Sequence, residues 1–231
     1  MSHRYAIYFA PAPDSPLWRF GSAVLGYDAL RAKACEPIVP TGWTAADWFE
    51  ATKDPRRYGF HATVKAPFAL APGRSEIELI AALTAFCDGR RPVALGESDV
   101  RVVGDRFVAI TPDTPPQALA ALEAAVVDAF EPFRAPLSEA DRQRRRPESL
   151  SPRQRAYLDR YGYPYVREEF RFHMTLSGSL AEPTPVAEAL RAAWHAARER
   201  SDITVDSLSL FREPAGGRFE IIATAPFRHD E

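Results

Sequence analysis

Short runs in which hydrophobic and polar positions alternate recur along the chain and predict half-buried β-strands. Each run is rich in β-branched or aromatic residues and lies between prolines or glycines. The runs are Tyr5–Phe9, Phe60–Ala66, Val100–Val103, Phe107–Thr111, Phe170–Ser177, Ile203–Phe211 and Phe219–Ala225. This number of strands is enough for two small sheets.

Between these runs, apolar residues at three- and four-residue spacing predict amphipathic helices. The spacing covers Ser75–Cys87, Pro116–Phe133 and Val186–Arg200, and a short helix fits Thr44–Glu50. Proline at the start of the second segment is typical of a helix N-terminus. The 21 prolines of the chain are scattered at turns and are not gathered into a linker, so we predict a single domain over residues 1–231.

One segment is too polar for either pattern. Between positions 138 and 160, arginines are interleaved with glutamate and aspartate. Because charge runs of this kind usually lie at the surface, we expect a solvated helical insertion or flap at about 138–165. A surface that attracts phosphate groups is the alternative interpretation.

Composition narrows the class of protein. The chain has 231 residues, of which 46% are hydrophobic and 26% charged, as in ordinary globular proteins. A chain of this length can bury a large core without a disulfide or a structural metal. The net charge of -2 argues against tight binding of long nucleic acids, but it is compatible with a short phosphate ligand.

Membrane insertion and export are not predicted. No stretch approaches the ~20 apolar residues that span a bilayer, and the apolar run before Pro11 is too short for a signal peptide. Cys35 and Cys87 lie far apart without ligand-like spacing, which is typical of a reduced chain. We therefore expect a cytoplasmic protein with no membrane partner.

Two segments repeat one short motif. Gly59-Phe-His-Ala-Thr-Val-Lys65 and Arg171-Phe-His-Met-Thr-Leu-Ser177 both contain Phe-His-x-Thr followed by an aliphatic residue. Such a match rarely arises by chance in a chain with five histidines. We interpret it as an internal repeat and predict two related halves.

Strand periodicity divides each motif into two faces, because residues i, i+2 and i+4 share one face of a strand. The residues between them are apolar and are expected to face the core. The polar faces carry His61, Thr63 and Lys65 in the first segment, and Arg171, His173, Thr175 and Ser177 in the second.

If the two halves meet about a pseudo-twofold axis, the polar faces share a cleft that suits a phosphoester. One imidazole can accept a proton from the attacking water or hydroxyl, while the other, protonated, gives one to the leaving oxygen. Thr63 and Thr175 can donate hydrogen bonds to nonbridging phosphate oxygens. This chemistry requires no metal or cofactor, and the symmetry leaves open which histidine is the base.

The remaining polar residues of the two faces are candidates for substrate binding. Lys65 and Arg171 either add charge that stabilises the transition state or simply face solvent. Ser177 is either a substrate contact or a strand-end residue. Four tyrosines are either stacking or hydroxyl contacts or simply core or rim residues, namely Tyr8, Tyr58, Tyr163 and Tyr165. The histidines His3, His195 and His229 lack the motif and are interpreted as structural.

The motifs resemble a known family. His61-Ala-Thr-Val64 and His173-Met-Thr-Leu176 are similar to the paired H-x-T-x motifs of the 2H phosphoesterase superfamily, which includes 2′,3′-cyclic nucleotide phosphodiesterases and 2′-5′ RNA ligase-like proteins. The longer segments Arg57-Tyr-Gly-Phe-His-Ala-Thr-Val-Lys-Ala-Pro-Phe68 and Tyr161-Gly-Tyr-Pro-Tyr-Val166 resemble its DUF1045, or phosphonate-metabolism, branch. That resemblance extends over most of the chain.

The resemblance implies a bilobal, duplicated α+β fold with two antiparallel sheets and outer helices around a central cleft. It carries the two family histidines over to His61 and His173 and the motif hydroxyls to Thr63 and Thr175. It further implies hydrolysis of a small cyclic phosphate or nucleotide-like phosphodiester during the breakdown of carbon–phosphorus compounds, with a cyclic phosphoribose as the suggested substrate.

Three other functions stay open. RNA processing at 2′,3′-cyclic ends or 2′-5′ linkages would use the arginines of 142–155 as a local patch, although the net charge does not favour it. A protein that binds a phosphate ligand without turnover would use the same cleft. A histidine-based metal site is the weakest hypothesis, since no third ligand is spaced near either motif.

Overall fold

Ten β-strands lie within residues 3–198 and 202–228, the part of the chain that the computed structural model describes. They are β1 (Arg4–Phe9), β2 (Tyr27–Asp28), β3 (Lys33–Ala34), β4 (Ala62–Phe68), β5 (Val93–Val103), β6 (Phe107–Pro112), β7 (Met174–Thr175), β8 (Asp202–Val205), β9 (Ser207–Glu213) and β10 (Glu220–Pro226). Strands β2 and β3 form a small hairpin. The others form one antiparallel sheet in the order β10-β9-β1-β4-β7-β6-β5-β8.

Eight α-helices lie in the same described residues, and several begin at a serine or threonine whose side chain accepts a backbone N–H, as N-caps do. The helices are α1 (Pro16–Leu25), α2 (Ala45–Ala51), α3 (Lys53–Tyr58), α4 (Glu76–Cys87), α5 (Gln117–Phe130), α6 (Glu139–Arg144), α7 (Pro152–Tyr161) and α8 (Pro183–Ala197). Among these described helices, none is long and apolar enough to cross a membrane.

The sheet consists of two four-stranded halves, one of β10, β9, β1 and β4 and the other of β7, β6, β5 and β8. They join at the centre, where β4 pairs with β7 through Ala62 opposite Met174. The predicted α+β class with antiparallel strands and outer helices is confirmed. The prediction of two sheets needs one correction: the halves form a continuous sheet, because pairing β4 with β7 satisfies backbone groups that would otherwise be exposed edges.

The main core lies on one face of this sheet. The side chains of Ala62, Val64 and Met174 are buried there with the apolar residues of the helices. Helix α5 contacts β4, α8 contacts β5 and β6, and α4 contacts β9 and β10. Because side chains alternate along a strand, the residues that flank Ala62 and Met174 face away from this core.

The polar segment folds into α6, a 3-10 turn at Pro147–Ser149, and α7. Arg142 of α6 forms an ion pair with Asp159 of α7, with Nε 3.0 Å from the carboxylate. Both helices begin at a capping serine, Ser138 for α6 and Ser151 for α7. The segment therefore presents charged side chains from two short helices that an ion pair connects.

Candidate active site

The two His-x-Thr motifs meet where β4 pairs with β7. The middle residues of the motifs, Ala62 and Met174, lie opposite each other and are fully buried on the core face. In an antiparallel pair this register sets the histidine of each motif opposite the threonine of the other. All four side chains, His61, Thr63, His173 and Thr175, line one cavity.

Both imidazoles are held by the same hydrogen bond. His61 Nδ1 lies 2.8 Å from the carbonyl oxygen of Gly59, and His173 Nδ1 lies 2.8 Å from that of Arg171. A carbonyl oxygen only accepts, so each Nδ1 carries the hydrogen and each neutral ring leaves Nε2 as an acceptor. The Thr63 hydroxyl lies 3.3 Å from Nε2 of His61.

Aromatic rings surround the first histidine. The ring of Tyr8 stacks on His61 with centroids 3.8 Å apart and planes 20° apart, and the rings of Tyr58 and Phe211 lie 6.0 and 5.9 Å away. Burial lowers the pKa of His61 to about 4, and although the hydrogen bond to Gly59 acts in the opposite direction, the nearby His173 lowers the pKa further. His61 is therefore a neutral base near pH 7.

The second histidine has a more open environment. Its side chain, like that of His61, is partly exposed, but within the described residues no aromatic ring stacks on it. Its carbonyl partner also differs, because Arg171 occupies the position that Gly59 has in the first motif. His173 is thus oriented like His61 but is less enclosed.

Gly59 allows the chain to turn from α3 into the first motif. Its φ is +75°, a conformation that side-chain-bearing residues rarely adopt, and an added Cβ would lie 2.6 Å from Cβ of Ala29. The glycine therefore lets the backbone pass close to Ala29 while it presents the carbonyl that orients His61.

The cavity that holds both motifs has a volume of about 420 Å³. Three of the four tyrosines proposed from the sequence line it, namely Tyr8, Tyr58 and Tyr163, together with the exposed Phe107. Tyr165 does not line it. The cavity thus combines polar groups at its base with flat aromatic walls, as small-molecule sites often do.

The prediction that Lys65 lies on the same face as His61 is wrong, because β4 contains a bulge. Tyr8 of β1 lies opposite Thr63, but Ile7 lies opposite Lys65, so Val64 is an extra residue in β4. Simple alternation assumed no extra residue. The bulge turns Lys65 to the side of the sheet that α5 covers.

Lys65 is buried in that position. Its Nζ donates to the carbonyl oxygen of Val127 at 3.2 Å and to the carboxylate of Glu131 at 3.0 Å. It does not line the histidine cavity, but it does line a neighbouring one. We therefore do not assign Lys65 a direct contact with a phosphate that lies between the histidines.

Neither of the other two predicted substrate contacts presents a free polar group to the histidine cavity. Arg171 is exposed, does not line the histidine cavity, and donates from Nη1 to the carbonyls of Glu168 and Phe170. Arg171 does not reach the cavity because its guanidinium folds back onto nearby backbone carbonyls.

Ser177 borders the cavity, but its hydroxyl is occupied. It accepts the N–H of Val108 at 2.9 Å and donates to the carbonyl of Gly178 at 2.9 Å, and the residue is fully buried. These bonds hold the end of β7 against β6. The alternative of a strand-end residue is the one that the geometry favours.

Sequence reasoning did not single out Arg145. It follows α6, lines the histidine cavity, and places its guanidinium carbon 5.1 Å from the ring centroid of Tyr163. Within the described residues it has no carboxylate partner at ion-pair distance. The arginine-rich run contained the signal, but nothing in its spacing distinguishes this arginine from its neighbours.

The remaining histidines lie apart from the cavity. His195 Nε2 contacts the carboxylate of Asp99 at 3.0 Å, and His3 lies beside Tyr5. His229 and the predicted helix end at Arg200 fall outside the described residues. In the part of the chain that the structure describes, no group of three His, Cys, Asp or Glu side chains could hold a metal ion.

Comparisons with known proteins give one family match. The model of DUF1045, a family described as proteins of unknown function, matches residues 63–220. Two curated proteins named ribose 1,5-bisphosphate phosphokinase PhnN are also similar to 93% of the chain. The protein from Janthinobacterium sp. (strain Marseille) is 36% identical over 219 residues, and that from Laribacter hongkongensis (strain HLHK9) is 37% identical over 215 residues. The chain spans about half the length of these relatives, 48% and 49% respectively.

Solved structures that align with nearly the whole chain have a lower sequence identity to it. Escherichia coli LigT complexed with 3′-AMP is 16% identical, with a TM-score of 0.43 over 99% of this chain and 100% of that one. A Thermus thermophilus protein is 13% identical, with a TM-score of 0.46 over 99% of this chain and 100% of that one.

Proposed function

Because the chain belongs to the DUF1045 family and its two His-x-Thr motifs face one cavity, we propose that it is a metal-independent phosphoesterase. It hydrolyses a small cyclic phosphate or a nucleotide-like phosphodiester. The observation that carries this proposal is the pairing of two imidazoles whose Nδ1 atoms are fixed by carbonyls, which leaves both Nε2 atoms for proton transfer. The family match agrees with the DUF1045 resemblance of the motifs.

His61 is the general base of the proposed reaction. Its lowered pKa, about 4, keeps Nε2 unprotonated near neutrality, so that it can take a proton from the attacking water. The water oxygen forms the new bond to phosphorus. The ring of Tyr8 and the carbonyl of Gly59 keep the imidazole in one orientation while the proton moves.

His173, in its protonated form, is the general acid. As the bond between phosphorus and one ester oxygen breaks, its Nε2 gives a proton to that oxygen, so the leaving group departs as an alcohol. A cyclic phosphate and one water thus become a phosphomonoester with a free hydroxyl. The proton on His61 and the proton missing from His173 are restored by exchange with solvent.

Three further side chains stabilise the charge on phosphorus. The hydroxyls of Thr63 and Thr175 lie on the same face as the histidines and donate to nonbridging oxygens as the transition state becomes more anionic. Arg145 lines the same cavity and supplies a positive charge. It takes the place that the sequence hypothesis gave to Lys65 and Arg171.

The curated relatives support a small phosphorylated sugar as the substrate class. Their name refers to ribose 1,5-bisphosphate, and this chain spans only about half of their length. The sequence contains no Gly-Lys dipeptide and therefore no Gly-x4-Gly-Lys-Ser/Thr nucleotide loop. We accordingly assign ester hydrolysis, and not transfer from a nucleotide, to this chain. We also propose that the protein acts in the breakdown of carbon–phosphorus compounds.

The test is phosphorus NMR in the presence of a chelator. Wild type, the His61→Ala, His173→Ala double variant and the control His195→Ala are incubated with 2′,3′-cyclic nucleotides and 1,2-cyclic phosphoribose. We expect phosphomonoester signals with wild type and control, and a rate at least about 100-fold lower with the double variant.

Two results would contradict this function. Hydrolysis by the double variant at the wild-type rate would exclude a catalytic role for the histidines. Loss of wild-type activity in chelator would exclude a metal-independent reaction. Tight stoichiometric binding without turnover would instead indicate a phosphate-ligand binder. Turnover of the nucleotides but not of the sugar would favour RNA ends.

A further inference from the structure

A second cavity lies directly beside the histidine cavity. It has a volume of about 260 Å³ and shares with the first cavity the residues Tyr58, Ala66, Pro67, Arg145 and Tyr163. The two spaces are therefore adjacent and have a common wall. One small molecule could occupy both.

The second cavity is lined by an unusual number of positive charges, and we call it the arginine cavity. The cationic side chains come from β1, α3, β4, the chain after α5, and the end of α6. They are Arg4, Arg57, Lys65, Arg134, Arg144 and Arg145.

Carboxylates neutralise only part of this charge, because cations share them. Glu213 accepts from both Arg4 and Arg57, with a nitrogen of each 2.6 Å from its oxygens. Two cations therefore depend on one nearly buried carboxylate. Their combined charge exceeds that of their partner by one.

The same arrangement recurs on the opposite side of the cavity. Glu131 accepts from Lys65 at 3.0 Å and from Arg134 at 2.6 Å. Of the remaining two cations, Arg144 pairs with Asp141, and Arg145 has no carboxylate at ion-pair distance among the described residues. Six cations thus meet three carboxylates, which leaves three positive charges in excess.

The cations differ in how firmly they are held. The side chains of Lys65 and Arg134 are only 4% and 12% exposed, so the base of the cavity is fixed. Those of Arg57 and Arg144 are 52% and 70% exposed and can turn towards a ligand. Guanidinium groups bind phosphate oxygens with paired, charge-assisted hydrogen bonds.

We propose that the arginine cavity binds a phosphomonoester carried by the same molecule whose cyclic phosphate lies between the histidines. This inference rests on the proposed function and makes it more specific: the substrate is a small cyclic phosphodiester with a second, terminal phosphoryl group. A dianion matches the excess charge better than a carboxylate does. The small volume favours one terminal phosphate over the continuous backbone of a long RNA.

Matched substrates test the inference. The 5-phosphorylated and 5-hydroxyl forms of ribose 1,2-cyclic phosphate, and the same pair for adenosine 2′,3′-cyclic phosphate, differ only in the terminal phosphate. We expect wild type to prefer the phosphorylated member of at least one pair by about 10- to 100-fold in kcat/KM, the range that charged hydrogen bonds provide. The double variant Arg57→Ala, Arg144→Ala should lose most of that preference.

The control is Arg153→Ala, which removes a guanidinium from the same polar segment. Arg153 pairs with Glu169 and does not line either cavity. In the test variant Glu213 keeps Arg4 as its partner, so both proteins are expected to fold. Thermal unfolding checks this, and the control should keep the full preference for the phosphorylated substrates.

Calorimetric titration with ribose 5-phosphate separates this inference from the proposed function. We expect binding to wild type and to the His61→Ala, His173→Ala variant, and weaker binding by about tenfold or more to the arginine variant. Turnover of both forms without preference, together with no binding of ribose 5-phosphate, would overturn the inference and leave the proposed function intact. Binding with no turnover of any cyclic ester would overturn the proposed function, and with it the assignment of this cavity to a cyclic substrate.

Discussion

His61 and His173 belong to the same short motif and hold Nδ1 in the same way, yet they lie in different surroundings. Each ring donates to the carbonyl oxygen two residues earlier at 2.8 Å. The first ring stacks on Tyr8 and has Tyr58 and Phe211 nearby, whereas among the described residues no aromatic ring stacks on the second. The repeat therefore preserves orientation while the neighbouring strands determine enclosure.

This difference assigns roles that symmetry alone leaves open. Burial lowers the pKa of His61 to about 4, so this ring is neutral and accepts protons at neutral pH. A pair of groups whose environments differ is what acid–base catalysis requires, since one member must accept a proton and the other must give one. In our account His61 is the base and His173 the acid for hydrolysis.

The largest effect should come from removing either ring. His61→Ala and His173→Ala are each expected to lower kcat for a cyclic phosphate by about 100- to 10,000-fold, and the double variant by little more than the more severe single variant, because the two act in one step. Steady-state kinetics measures this. A loss below about tenfold in either single variant, or full additivity, would contradict a coupled pair.

The threonines should have a smaller effect. Thr63→Val and Thr175→Val keep the side-chain shape but remove a donor to the phosphate, so each should lower kcat by about 10- to 100-fold. Thr→Ser at the same positions restores the donor and should recover most of the activity. Valine variants with wild-type kcat would show that neither hydroxyl contacts the reacting phosphate.

The enclosure of His61 can be tested through pH. Because the base must be unprotonated, the acid limb of the wild-type kcat/KM profile should rise with pH through about 4. Tyr8→Leu admits water beside the ring and should move this limb towards the ordinary value of about 6.5, which lowers activity at pH 5 by about tenfold and changes it little at pH 8. Tyr8→Phe keeps the ring and serves as the control. An unchanged acid limb in Tyr8→Leu would show that stacking does not set the pKa.

The smallest effect is expected at Arg171. Its guanidinium donates to backbone carbonyls and does not line the histidine cavity. Arg171→Ala should therefore change kcat/KM by less than about twofold, as surface substitutions usually do. A tenfold rise in KM would restore the substrate-binding role that strand alternation predicted.

Local rules recovered the motif and several elements. The predicted helix Ser75–Cys87 is α4, with Ser75 as its N-cap, and the predicted strand Phe107–Thr111 is β6 with one more residue. The facing histidines followed from the repeat and from two-residue periodicity. These features depend on spacing within a few residues, which a sequence displays directly.

Features that depend on distant partners were not predictable. The bulge at Val64 lies where β4 pairs with β1, and it moves Lys65 to the other face. The predicted strand Ile203–Phe211 is divided at Asp206 into β8 and β9, which belong to different halves of the sheet. Arg145 reaches the cavity only through the placement of α6 beside it. None of these leaves a local pattern.

The division of roles between the histidines is tested most directly by changing the leaving group. A cyclic phosphate releases an alkoxide that needs a proton, whereas a p-nitrophenyl phosphodiester releases a weakly basic phenolate that does not. We predict that His173→Ala loses about 100-fold or more on the cyclic phosphate but little on the nitrophenyl ester, while His61→Ala is severely impaired on both. Retained activity of His61→Ala, and not of His173→Ala, on the nitrophenyl ester would contradict the account. Equal loss of activity by both variants on both substrates would contradict it as well.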